Sequence, residues 1–147
     1  MGIRILLADD HTIVLQGLSR FLREQADMEV VGQAKDGVTT VQLARELTPD
    51  IIIMDISMPG LSGIEATRRI HGEKPEVKII GLSMHAAKRY VQEMYRAGAR
   101  GYLLKDCDFD ELVTAIHTVA GGGTYFAGEF AAVIGRADQK GSASTSA

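Results

Sequence analysis

The 147-residue chain has one cysteine, Cys107, no excess of basic residues, and no apolar run long enough to span a bilayer. A lone thiol excludes an internal disulfide, and without a companion ligand it excludes a cysteine-based metal site; both suit a reducing cytosol. Lys and Arg (16) are outnumbered by Asp and Glu (19), so the basic footprint of a bare nucleic-acid reader is missing. Any DNA-reading part lies elsewhere. Met1-Gly2-Ile3-Arg4 leads straight into a strand-length run without the apolar stretch of a signal peptide, and Leu6 stands where a myristoylation signal needs Ser or Thr. These absences predict a soluble, cytoplasmic protein with no membrane partner.

What is present is an ordinary globular composition, 46% hydrophobic and 24% charged, enough for one domain with a real core. Continuous apolar runs recur at Ile3 to Ala8, Val30-Val31, Ile51 to Met54, Val77 to Leu82 and Tyr102 to Leu104, the pattern of strands buried on both faces. Helix-spaced stripes alternate with them: Val14, Leu18, Phe21, Leu22; Val41, Ala44, Leu47; Ile64, Thr67, Ile70; Val91, Met94, Tyr95; and Leu112, Ala115, Ile116, Val119. Five β-α units predict an α/β fold, a parallel sheet covered by helices on both faces. Pro49 and Pro75 precede strands, Gly98 and Gly101 bracket the last turn, and Ser62 is placed to cap a helix. The regular order ends at Gly121-Gly122-Gly123. A short piece with helical character follows from about 128 to 134, and 141–147 is a Gly/Ser/Ala/Thr tail that reads as linker.

The chemistry lies at the strand ends. Asp9-Asp10, Asp55, Ser83 and Lys105 each follow an apolar run, and in an open parallel sheet such positions converge on one crevice. Clustered carboxylates repel, and a hard divalent cation, Mg2+ or Mn2+, relieves them with one or two direct carboxylate ligands. Asp9 and Asp10 then divide direct and water-mediated contact, which leaves Asp55 free as a nucleophile toward a phosphoryl group. Lys105 supplies a second positive charge and Ser83 a hydroxyl donor. Taken singly, each has a plainer reading: Asp10 and Ser83 as helix caps, Asp55 before Met58-Pro59-Gly60 as a strand-end turn, Lys105 as a partner of Asp106. Their joint order at successive strand ends favours the site.

These residues resemble the receiver domain of two-component response regulators over about residues 3 to 120, through Asp9-Asp10, Asp55-x-x-Met58-Pro59-Gly60, Ser83 and Lys105. The resemblance implies a flavodoxin-like, doubly wound, five-stranded parallel sheet of order 2-1-3-4-5 with five helices. It implies Asp55 as phospho-acceptor and Asp10, Asp55 and the Ser57 carbonyl as magnesium ligands, with Asp9 assisting through water. Ser83 and Tyr102 are implied as a switch pair, Lys105 as the phosphate contact, and Ser57 and His85 as positions that tune dephosphorylation. A histidine kinase is the implied donor, docking near the first helix, where Ile13 offers a small apolar contact. Such a domain is no turnover enzyme; it supports only its own phosphorylation and dephosphorylation. Asp106 stands where the family often has a proline after a cis bond.

Asp9-Asp10-His11, Leu82-Ser83-Met84-His85 and the stretch Ala97 to Lys105 are similar to the NarL/FixJ subgroup, as is the Gly-rich exit with Tyr125. Its members carry a LuxR-like DNA-binding domain. The expectation is therefore a receiver over 1–121 and a linker over 122–147 leading to an output domain outside this chain, with a stand-alone receiver as the alternative. Basic residues Lys88, Arg89, Arg96 and Arg100 and acidic residues Asp106, Asp108, Asp110 and Glu111 read first as a solvated face, and their complementary charge gives a phosphorylation-driven symmetric dimer as the alternative. His11, His71 and His117 carry no motif and read as surface residues. An aspartyl phosphatase of the haloacid dehalogenase kind needs an acid where Ser57 stands, and a flavodoxin-like nucleotide binder needs a phosphate loop where Asp9-Asp10 stands.

Overall fold

The structure is a computed structural model that describes residues 2–84, 88–126 and 130–131. His85, most of the 128–134 piece and the whole of 141–147 lie outside the described residues. The chain alternates β1 (Ile3–Ala8), α1 (Thr12–Arg23), β2 (Met28–Ala34), α2 (Gly37–Leu47), β3 (Ile51–Asp55), α3 (Gly63–Glu73), β4 (Lys78–Ser83), α4 (Lys88–Ala97), β5 (Gly101–Leu104), α5 (Phe109–Ala120) and β6 (Tyr125–Phe126).

All pairings are parallel, and the strand order is β2-β1-β3-β4-β5-β6. Because side chains alternate across a strand, each apolar run feeds two cores. Leu6, Ala8, Ile52, Met54, Ile79 and Tyr102 pack on one face with residues of α2, α3 and α4. Ile5, Leu7, Ile51, Ile53, Ile80, Leu82 and Leu103 pack on the other with α1 and α5. This is the doubly wound arrangement expected from five β-α units.

Among the described residues the sheet has six strands rather than the predicted five. Tyr125 pairs with Gly101 and Phe126 with Tyr102, and the Tyr125 N–H donates to the Arg100 carbonyl at 2.9 Å. Gly122, at φ +98°, lets the chain reverse after α5 and return along the outer edge of β5. A two-residue strand has no alternation to detect, so the sequence signals only the glycine run before it. Tertiary contacts secure it instead: Phe126 meets Tyr95 edge to face at 5.8 Å, and Phe130 meets Tyr102 likewise at 5.2 Å.

Helix starts are fixed locally. Asp36, Ser62 and Asp108 accept hydrogen bonds from the N–H groups of Thr39, Glu65 and Glu111. The first helix differs, since its N-terminal flanking residue is His11, whose side chain makes no capping bond.

Candidate functional site

Strand register brings the polar residues together. Ala8 lies beside Met54, Asp55 beside Leu82 and Ser83 beside Leu104, so the residues following β1, β3, β4 and β5 emerge at one edge of the sheet. Two backbone bonds hold the strand exits: the Asp9 N–H donates to the Ala34 carbonyl at 3.0 Å, and the Lys105 N–H to the Ser83 carbonyl at 2.8 Å. Lys105 Nζ consequently lies 2.8 Å from Asp9 Oδ2 and 3.4 Å from Asp55 Oδ2.

Asp9 and Asp55 are almost completely buried, at 1% and 2% exposure, whereas Asp10 keeps an open edge. Asp9 Oδ2, Asp10 Oδ1 and Asp55 Oδ2 are buried oxygens that accept no directed hydrogen bond. The Lys105 ammonium pairs directly with Asp9 Oδ2 at 2.8 Å and lies 3.4 Å from Asp55 Oδ2, neutralising part of the cluster's charge. Burial raises the Asp55 pKa, and the Asp9 charge adds to the rise, against the opposing pull of the Ser57 N–H and Lys105. Ligand atoms of Asp9, Asp10, His11 and Asp55 all fall within 4.8 Å of one another. Buried, unsatisfied carboxylate oxygens around one point match what a hard divalent cation requires, so the acidic cluster fits the Mg2+ that the fold family implies.

The β3–α3 loop is shaped to hold Asp55 still. Its Oδ1 accepts the Ser57 N–H at 3.1 Å, a local turn that leaves Oδ2 facing Lys105. The loop closes because α3 begins at a glycine: a Cβ on Gly63 would lie 2.1 Å from the Asp55 carbonyl oxygen. Ser57 is exposed beside this turn.

Each plainer reading can now be weighed. Asp10 does not cap α1, because His11 occupies the flanking position; Asp9 Oδ1 accepts the His11 N–H at 2.8 Å instead. Lys105 faces Asp9 and Asp55 rather than pairing with Asp106. Ser83 is buried at 1%, and Tyr102, the residue whose ionisation it helps set, is wholly buried. Burial raises the Tyr102 pKa, and Ser83 works the other way. The described residues contain no cis peptide bond, so Lys105 joins Asp106 in trans.

One residue enters the site against expectation. His11, read from sequence as an ordinary surface histidine, places Nδ1 2.9 Å from Asp9 Oδ1 and 3.2 Å from Asp10 Oδ1. Its only sequence signal is adjacency to the paired aspartates. Ile13, the predicted docking contact, is 84% exposed.

Comparisons with known proteins agree with this geometry. A sequence profile described as the response regulator receiver domain matches residues 5–117. The transcriptional regulatory protein MctR of Rhizobium johnstonii is 44% identical over 141 residues, covering 95% of this chain and 66% of the relative. DegU of Brevibacillus brevis is 42% identical over 84% of this chain and 52% of its own length. The chain therefore spans about half to two thirds of the length of these curated relatives. Among solved structures, a LuxR-family two-component response regulator from Aurantimonas sp. aligns with a TM-score of 0.86 at 36% identity, covering 94% of this chain and 99% of that one. The receiver domain of the putative response regulator NarL from Mycobacterium tuberculosis aligns at 0.79 and 30% identity, covering 82% and 98%. With strand-end aspartates around a buried lysine, the matching fold and relatives of this identity, the chain belongs to the response regulator receiver domain family.

Proposed function

We propose that Asp55 accepts a phosphoryl group from the phosphohistidine of a histidine kinase in the cytoplasm. A carboxylate oxygen of Asp55 attacks phosphorus, the P–N bond breaks, and the leaving imidazole nitrogen takes up the electron pair and a proton. The observation that carries this reading is Asp55 Oδ2, buried, without a hydrogen bond, and 3.4 Å from the Lys105 ammonium. It is a nucleophile beside a cation placed to neutralise charge on the incoming phosphoryl oxygens.

Asp10, Asp55 and the Ser57 carbonyl would hold Mg2+, with Asp9 assisting through water. When bound, the ion neutralises charge on the phosphoryl oxygens. The Lys105 ammonium, 3.4 Å from Asp55 Oδ2, neutralises the rest. Ser83 releases Tyr102 to donate to a phosphoryl oxygen, and this exchange is the switch: a local charge change biases a two-state packing. Ser57, and His85 beyond the described residues, set the rate of dephosphorylation.

Names of the relatives support a transcriptional output. MctR and DegU are transcriptional regulatory proteins longer than this chain, and the Aurantimonas neighbour is of the LuxR family. The output is DNA binding by a LuxR-type domain, promoted by a phosphorylation-dependent homodimer. The receiver itself turns over no external substrate beyond its own phosphorylation and dephosphorylation. Intact mass after incubation with acetyl phosphate and Mg2+ tests the core of this. The expected result is a gain of one phosphoryl group that needs Mg2+ and is absent in Asp55→Ala; an unmodified wild-type chain would refute it.

A further inference from the structure

His11 has no established task in the reading above, yet its ring is turned into the acidic cluster. Its side chain is 59% exposed, so solvent is available to it, but Nδ1 points inward to Asp9 Oδ1 and Asp10 Oδ1. A hydrogen bond between Nδ1 and Asp9 Oδ1 at 2.9 Å holds that orientation, and the ring makes no capping bond to α1. Lys105 Nζ also lies 3.3 Å from Nδ1, so the nitrogen sits between the cluster's anions and its cation.

The spacing has a chemical meaning. Neighbouring ligands of an octahedral ion with bonds of about 2.0–2.1 Å are about 2.9 Å apart. Nδ1 stands 3.2 Å from Asp10 Oδ1, near that separation, and all four candidate ligand atoms fall within 4.8 Å. Asp55 Oδ2, almost fully buried and accepting no hydrogen bond, faces the same space. An imidazole added to carboxylates changes the preferred ion. Mg2+ gains little from a nitrogen donor, whereas Co2+, Ni2+ and Zn2+ gain much.

We propose that His11 Nδ1 is an additional ligand at this cation site, adapting it to nitrogen-preferring divalent transition metals as well as Mg2+. The proposal rests on the reading of the acidic cluster as a cation site. It separates the aspartates, which serve any divalent ion, from His11, which serves one class of them.

Calorimetric titration of the full chain with NiCl2 or MgCl2 alone tests it in the wild type, His11→Ala and His11→Gln. Glutamine keeps a hydrogen-bond donor for the aspartates but supplies no imidazole. The expected result is a loss of Ni2+ affinity of about tenfold or more in both variants, with Mg2+ affinity nearly unchanged. In the Co2+-loaded protein, proton NMR should show a strongly shifted exchangeable imidazole signal that both variants lack. Equal losses for both ions, unchanged Ni2+ binding, or recovery by glutamine would overturn the proposal while leaving the Mg2+ site intact. Failure of the wild type to bind Mg2+ would overturn both readings.

Discussion

Asp55 concentrates the conflict that makes the site useful. Placing a carboxylate beside Asp9 under almost complete burial costs folding free energy that a neutral amide would not cost. Its folded pKa lies above the unfolded value, so the folded state holds the proton longer. Without metal, stability therefore falls as pH rises through the interval between the two values. Asp55→Asn should raise metal-free stability by about 1 kcal/mol at neutral pH and flatten that dependence, as read by urea melts across pH 4 to 8. Added Mg2+ should stabilise the wild type by mass action and stabilise Asp55→Asn much less. At this scale the sequence was informative for Asp9, Asp10, Asp55 and Lys105, because each follows an apolar run whose direction fixes where it emerges. His11 was not legible, since nothing in sequence says which way an exposed ring turns.

Among the elements, α2 shows how local chemistry sets boundaries. Asp36 accepts the Thr39 N–H at 2.7 Å, and that bond lowers the Asp36 pKa. The cap therefore contributes fully above the ordinary carboxylate range and is lost as pH falls through the lowered value. Asp36→Ala should cost about 1 kcal/mol at pH 7 and nothing once the wild-type carboxyl is protonated, a difference measurable by denaturant titration at the two pH values. At the other end Thr48 adopts φ 42°, a left-handed conformation disfavoured for a β-branched residue. Thr48→Gly should stabilise by about 0.5–1 kcal/mol, visible as a higher melting temperature, provided the Thr48 carbonyl keeps its bond from Arg4. The Ser62 cap was readable from its position before Gly63. The edge strand β6 was not, because its two residues depend on a partner strand for their existence.

For the whole molecule, the return of the chain after α5 decides what covers the sheet face that carries Tyr102. Phe126 and Phe130 are buried with Tyr95, Tyr102 and Met94, so the core extends beyond the glycine run at 121–123. Phe130→Ala should cost about 2–4 kcal/mol by opening a cavity over the Tyr102 ring. Calorimetric melting checks this, and the near-ultraviolet signal of the tyrosines should change with it. A chain ending after Ala120 should lose more, because it also exposes the outer edge of β5.

Alternating apolar runs and helical stripes by themselves determined the α/β class, the parallel sheet and the strand ends at which charged residues emerge. Those signals are local: a side-chain period of two or of 3.6 and a turn residue between them suffice. Only the tertiary structure decided how far the sheet extends, that Asp10 is no helix cap, and that His11 turns toward the carboxylates. Each of these depends on groups brought together from distant parts of the chain or on the orientation of a single ring. Pairing across β5 and the packing around Lys105 exist only once the chain has folded, so no local pattern encodes them.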